Sequence, residues 1–409
     1  MEEPRAHGGA PSDGWWSNGN DEDGAGAGQG EWELRAGSTA MARRVYLHIG
    51  LPKTGTTYLQ TLMWNNREVL AGQGVLLPGD SRRQHLWASC AVREDPNLVR
   101  RSPEAPAAWD RLTGELNGWD GTAVVSHEFF AAASTEQVRR AFSELGGAEI
   151  HVVVTARDTV SLVTARWQEM VKNGSTTPID NYPRTEESDP LNVWGWGTLD
   201  LADVLHRWGA LLPAERVHVL TLPKPSEPRE TLWLRFAALL GIDPTTCATE
   251  GSAQNESLGV VEVELLRRVN GDLEGFTSAQ DRGNWIRGYL AEGKLVPRRG
   301  EKFWPSRERV AELRTRGDRI VEDVIAGGYH VIGDVRDLRT PADLPARRHP
   351  DSVTDAELAA AASGVIAAMM TDVRGLTREN RELRRAASVA SESSARVSIA
   401  RRVLRRFRR

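Results

Sequence analysis

The octapeptide Gly50-Leu51-Pro52-Lys53-Thr54-Gly55-Thr56-Thr57 lies between an apolar strand-like run from Arg44 to Ile49 and a helix-like run from Tyr58 to Leu70. This combination makes a phosphate cradle. Glycine lets the backbone turn tightly and bring its N–H groups against an anion, and the following helix aims the positive end of its dipole at the same point. The loop keeps the glycine spacing of the nucleotide-binding pattern G-x-x-x-x-G-K-[ST], but Thr56 stands where that pattern has lysine, and Lys53 comes three residues earlier. A second group, Ser126-His127-Glu128-Phe129-Phe130, follows the apolar run Thr122 to Val125 and offers two bases side by side. Histidine titrates near neutrality unaided, whereas glutamate needs burial or neighbours to raise its pKa. The third group, Thr155-Ala156-Arg157-Asp158, ends the run His151 to Val154. A guanidinium there suits bidentate pairing with phosphate, and Asp158 suits the N-cap of a following helix.

Pro52-Lys53-Thr54-Gly55-Thr56-Thr57 resembles the loop of sulfotransferases that use 3′-phosphoadenosine 5′-phosphosulfate (PAPS). The resemblance implies that Gly55, Thr56 and Thr57 hold the 5′-phosphate, and that Lys53 binds beside the bridging oxygen and stabilises charge on the leaving group. That family continues with a strand ending in Arg-Asp/Asn-Pro, a serine eight residues after the arginine and an aromatic two further on. Arg157 and Trp167 match this pattern, Thr159 replaces the proline, and Ala165 occupies the serine position with Thr164 beside it. Arg157 is therefore the implied ligand of the 3′-phosphate, with Thr164 the nearest hydroxyl. Ser126-His127-Glu128 is similar to two branches of the family, one with histidine as base and the heparan sulfate branch with Ser-Lys-Glu and glutamate as base. The resemblance favours Glu128 as catalytic base, with His127 as the alternative. Leu232-Trp233, Arg235-Phe236, Asn255 to Gly259 and Arg298-Arg299-Gly300 are weaker echoes.

Strands at 44–49, near Val75, 122–126, 150–155 and 216–222 alternate with helices at 57–70, 136–145, 160–172 and 230–240, the last closed by Gly241. This alternation predicts an α/β fold, a P-loop-type parallel sheet with helices on both faces. All three groups then sit at the carboxyl ends of strands, where such sheets bind ligands. Residues 174–198, with three prolines and Trp194-Gly195-Trp196, read equally as a lid or as a packed excursion. The predicted organisation is a disordered segment at 1–42, a sulfotransferase-like domain at 43–350, and a C-terminal helix with a basic tail at 351–409. From Asp355 the chain reads as one helix in which Ile366, Met369, Val373, Leu376, Asn380 and Leu383 step by three and four. That seam predicts a coiled-coil homodimer; packing back on the core is the alternative. Arg401 to Arg409 form a basic end suited to an anionic membrane surface or an acidic partner.

A formal net charge of -4 on 409 residues gives no overall pull toward nucleic acid. Cys90 and Cys247 have neither metal-ligand nor disulfide-framework spacing, and nothing in the pattern requires a metal. No uninterrupted apolar run approaches the ~20 residues of a membrane helix, and no leader pattern opens the chain, so the sequence reads as soluble and cytoplasmic. The expectation is a PAPS-dependent sulfotransferase acting on a hydroxyl, or an amine, of a small molecule or glycan. One rival is a nucleotide kinase or NTPase, disfavoured by the displaced lysine and the lack of an apolar strand ending in a Mg²⁺-binding aspartate. The other is a non-catalytic scaffold on the same fold, for which Ala165 is the best argument.

Overall fold

The computed structural model describes residues 42–183, 192–224, 226–249 and 257–406. Its first half runs β1 (Arg44–His48), α1 (Thr56–Asn65), β2 (Val75–Leu76), α2 (Arg82–Val92), β3 (Thr122–Ser126), α3 (Thr135–Glu144), β4 (Glu149–Ala156) and α4 (Thr159–Lys172). The second half adds α5 (Leu201–Gly209), β5 (Val217–Thr221), α6 (Thr231–Leu240), α7 (Val260–Asp272), α8 (Arg282–Leu295), α9 (Arg307–Ala326), β6 (His330–Ile332) and α10 (Asp355–Arg406). The strands form one sheet of order β2-β3-β1-β4-β5-β6, parallel throughout.

Apolar residues on both sides of each central strand explain why the sheet is covered twice. Val45, Leu47, Val125, Val152, Val154 and Val219 pack with Trp208 of α5, Val163 and Trp167 of α4 and Val321 of α9. Their neighbours along the strands, Tyr46, Val124, Val153 and Leu220, face α1 and α6 through Leu59, Leu62, Met63, Trp233 and Phe236. The period-two alternation thus divides the core between two layers. The strand order reverses at β1, which pairs with β3 on one side and β4 on the other, and parallel sheets bind ligands beyond the carboxyl ends of the strands at such a switch point.

Two departures from the sequence reading have local causes. The single helix expected at 57–70 breaks at Asn66, whose amide donates to Leu62 O (2.8 Å) and Ala248 O (2.9 Å) and so ties the turn to a distant loop. By length and composition alone, Asp355–Ala387 is long and apolar enough to cross a membrane, with a mean hydropathy of 1.3 over 18 residues. No uninterrupted apolar run marks it, because Ser363, Gly364, Thr371 and Asp372 interrupt an alanine-rich helix. In the excursion at 174–198 the described flanks are packed: the Tyr182 hydroxyl donates to Trp194 O (2.7 Å), Arg166 lies 4.1 Å from the Trp194 ring, and Arg316 lies 3.8 Å from that of Trp196. Of the disorder expected at 1–42, only Ala42 is described, and it is buried; residues 1–41, the middle of that excursion, Asn255, Glu256 and the end of the basic tail lie outside the described residues.

Several histidines are buried as neutral rings. His48 and His85 are fully buried, and burial lowers each to about 4. At the amino end of the sheet His218 joins His151 (2.7 Å) and His330 (2.8 Å), and burial, then its histidine neighbours, lowers it to about 3. Their folded pKa values lie below the ordinary 6.5, so the unfolded chain binds more protons in between; the stability they confer is complete above pH 6.5 and is lost as pH falls toward 4. At about 1.4 kcal/mol per pKa unit, His48 and His85 each account for roughly 3 kcal/mol at the acid end. Urea denaturation is expected to give markedly lower stability at pH 5 than at pH 7.5. Equal stability at both would show that these rings are not neutral and buried.

Candidate functional site

Each candidate side chain is delivered by the end of a strand. After β1 the chain turns through Gly50 (φ 120°), Lys53 (φ 64°) and Gly55 (φ 85°), all left-handed, and enters α1 at Thr56. A side chain at Gly50 would stand 3.2 Å from Glu128 O, and one at Gly55 would stand 2.5 Å from Leu232 Cδ2. The two glycines therefore allow the loop to lie against the β3 segment on one side and α6 on the other. Among the described residues no side chain caps α1, and its first turn holds no acidic residue, so the positive end of its dipole is uncompensated. Thr56 is buried at the front of the helix and Thr57 is exposed beside it.

Beneath the loop lies a polar layer that the sequence did not reveal. Thr54 Oγ1 donates to Leu51 O (2.5 Å) and meets Thr155 Oγ1 at 2.6 Å, while His48 Nδ1 lies 2.8 Å from Ser126 Oγ. Three adjacent strand ends are thus tied together directly behind the cradle. Its signal was available: His48, Ser126 and Thr155 each interrupt an otherwise apolar strand at the same end.

Lys53 does not stand free. Its ammonium sits 2.6 Å from Glu169 Oε2 on α4, a carboxylate only 3 % exposed. Glu169 also receives Arg287 of α8 at 2.6 Å, and Lys172 lies nearby with Glu292 3.8 Å away. Burial pushes the Glu169 carboxyl up, but Lys53, Arg287 and Lys172 together hold it well below the usual carboxylate range. With three cations around one carboxylate, Lys53 can turn toward a bound anion without stranding a buried charge.

Arg287 arrives on an unusual element. α8 is wound with i→i+5 spacing, and Gly283, Gly288 and Gly293 recur at that period. Side chains at Gly288 and Gly293 would stand 3.2 and 3.3 Å from the carbonyls of Gly283 and Gly288. The five-residue glycine repeat is the sequence signal for this helix, and it matches neither the period of 2 of a strand nor the 3.6 of an α-helix.

After β3, His127 and Glu128 lie side by side but are differently occupied. His127 Nδ1 accepts from Phe129 N–H (3.1 Å), capping the short turn Glu128–Ala132. Burial lowers the ring to about 4, with Glu128 opposing that shift and Arg93 and Arg82 adding to it. Its one basic nitrogen is already used. Glu128 accepts from Gln60 Nε2 of α1 (3.3 Å). Burial raises its pKa, but His127, its own backbone amide, Gln60 and Arg166 outweigh that and leave it lowered and ionised.

After β4, Asp158 does cap α4, accepting from Ser161 N–H at 2.8 Å. Arg157 beside it is left with a buried Nε that has no hydrogen-bond partner among the described residues. Burial lowers its pKa, and only Asp158 acts the other way. Thr164 is buried and gives its hydroxyl to Val160 O (2.7 Å) within its own helix. The half-buried positions of α4 are instead Ser161, Ala165 and Gln168, and Gln168 exchanges hydrogen bonds with Leu258 (3.1 and 3.3 Å). His85, a histidine beyond the first βα unit, is structural: Nδ1 accepts from Ser126 N–H (3.1 Å) and Nε2 lies 2.7 Å from Pro78 O. No cluster of metal-ligating side chains occurs among the described residues.

The fold therefore defines an α/β protein with an uncapped helix N-terminus at the switch point of a parallel sheet. No family model matches the chain, and no curated protein matches it. Two solved structures are similar to it. A sulfotransferase from Alicyclobacillus acidocaldarius has 16% identity over 60% of this chain and 96% of that one, with a TM-score of 0.38. The sulfotransferase domain from the curacin biosynthetic pathway has 12% identity over 72% of this chain and 100% of that one, with a TM-score of 0.31. At such scores neither likeness carries weight for the chemistry, which rests on the residues themselves.

Proposed function

We propose that the protein is a sulfotransferase that moves a sulfuryl group from PAPS to a hydroxyl, or an amine, of a small molecule or glycan. The observation that carries this reading is the pairing of an uncapped helix N-terminus after β1 with the half-buried Arg157 after the adjacent β4, whose buried Nε has no hydrogen-bond partner among the described residues. Two anion sites on neighbouring strands suit a nucleotide with a 5′-phosphate and a separate 3′-phosphate. An arginine at the second site is costly to bury unless an anion completes it.

PAPS supplies the activated sulfuryl group. Gly55, Thr56 and Thr57 hold the 5′ end through amides and hydroxyls, Arg157 holds the 3′-phosphate, and Ser161 on the open face of α4 is better placed than Thr164 to assist it. Glu128 takes the proton of the acceptor as its oxygen or nitrogen bonds to sulfur and the sulfur–oxygen bond to the phosphate breaks. The electron pair leaves with 3′-phosphoadenosine 5′-phosphate, whose growing charge Lys53 offsets.

Thermal melting tests the reading. The 3′,5′-bisphosphate is expected to raise the melting temperature well above the effect of ATP with Mg²⁺, since a ligand specific to the folded state stabilises it by mass action. Arg157→Ala is expected to weaken the bisphosphate by about 10-fold or more and to leave a nucleotide lacking the 3′-phosphate almost unaffected. Strong stabilisation by ATP alone would transfer the site to kinase chemistry. Equal weakening of both nucleotides would make Arg157 a structural residue.

A further inference from the structure

Helix α10 carries two apolar stripes one residue out of phase, and its own body covers only one of them. Leu358, Ala361 and Val365 are at most 7% exposed and seat the helix on α7 and α8. Asp372 continues that line, meeting Lys294 at 2.5 Å and the Tyr289 hydroxyl at 2.7 Å. The second stripe is Ile366, Met369, Val373, Leu376, Asn380 and Leu383, rotated by about 100° from the first. Its apolar members are 38% to 64% exposed. Packing on the core and a free seam, alternatives in the sequence, are both present on one helix.

We propose that α10 pairs through this second stripe with the same helix of a second copy, parallel and in register, as a two-stranded coiled coil. The stripe places Ile366, Val373 and Asn380 at the a positions and Met369, Leu376 and Leu383 at d; β-branched residues at a with one asparagine favour a parallel pair. The charges agree. Glu379 at g meets Arg384 at e of the other copy, and symmetry repeats the pair on the opposite side of the seam. The length agrees as well, since the seam from Ile366 to Leu383 runs for about 27 Å and most of it lies beyond Asp372, where the helix meets Lys294 and Tyr289. Long helices draw most of their stability from packing an apolar face, and this face has no cover among the described residues.

A lipid bilayer is the competing occupant, because Asp355–Ala387 is long and apolar enough to span one. Two observations oppose it. Arg374, Arg378, Arg381, Arg384 and Arg385 follow Asp372 directly and would have to enter hydrocarbon or flank a much shorter span. Insertion would also pull Leu358, Ala361 and Val365 out of the main core.

Sedimentation velocity on the full chain at micromolar concentration is expected to return the mass of two chains. The double variant Val373→Asp/Leu376→Asp should return one chain with an unchanged first melting transition, since both side chains are exposed. Glu379→Arg is expected to weaken the dimer, and adding Arg384→Glu should restore it. Leu383→Cys should crosslink to its own copy under mild oxidation, which only a parallel, in-register pair allows; Cys90 and Cys247 are buried and do not compete. One-chain mass for the unaltered protein, a dimer indifferent to Val373→Asp/Leu376→Asp, or monomers that co-sediment with phosphatidylcholine/phosphatidylglycerol vesicles would each overturn the proposal. None of these results depends on sulfotransferase activity.

Discussion

Lys53→Ala is expected to cut turnover by about 10²- to 10³-fold while changing affinity for the 3′,5′-bisphosphate little, the cost typical of removing one preorganised donor from developing charge. The lysine sits at φ 64° and is the one cation in the loop from Gly50 to Thr57 that leads into the uncapped end of α1. Its charge matters most as the leaving phosphate gains electrons, so the loss should appear in kcat more than in binding. The fold should survive. Glu169 keeps Arg287 at 2.6 Å and Lys172 nearby, so removing Lys53 does not leave a buried carboxylate unpaired, which would otherwise cost several kcal/mol. Single-turnover kinetics and melting curves on the same preparation separate the two effects. Unchanged turnover would remove Lys53 from the mechanism; equal loss of turnover and nucleotide binding would make it a structural part of the loop.

What the sequence allowed to be read follows from the range of the interactions involved. The cradle, the strand ends and the cap at Asp158 are local: each is specified by residues within one strand–turn–helix unit, and spacing alone placed them. The parallel sheet was legible for a similar reason, because Val-rich runs buried on both faces alternate with helices at short intervals. Glu169 was within view as part of α4, but its partner lies 116 residues away in the chain, and no local pattern announces that Lys53 is already paired. Arg287 was hidden twice over, by sequence distance and by a helix whose glycine period of five matches neither of the usual templates. β6 escaped because three residues on a sheet edge carry too little periodicity to register. His127 shows a subtler limit. Residue type made it an attractive base, and only the position of Phe129 N–H reveals that its acceptor nitrogen is in use.

That occupied nitrogen makes the choice of base testable with two conservative substitutions. Glu128→Gln keeps the shape and the contact with Gln60 but removes basicity, and turnover is expected to fall by about 10²- to 10⁴-fold with the bisphosphate still bound. His127→Asn should retain most activity, because asparagine is a good cap and its side-chain oxygen can accept from Phe129 N–H as the ring does. The pH profile gives a second reading. A base must be ionised to work, and Glu128 lies below the ordinary carboxylate range, so turnover in the unaltered protein is expected to hold as pH falls from 8 until the chain itself loses stability in acid. If His127 were the base, a ring lowered to about 4 would also give a flat profile, so the substitutions and not the profile separate the two residues. Loss of turnover in His127→Asn with Glu128→Gln active would reverse the assignment. Full activity in both would place the base on another element, with the described half-buried face of α4 around Ser161 and Gln168 the next place to look.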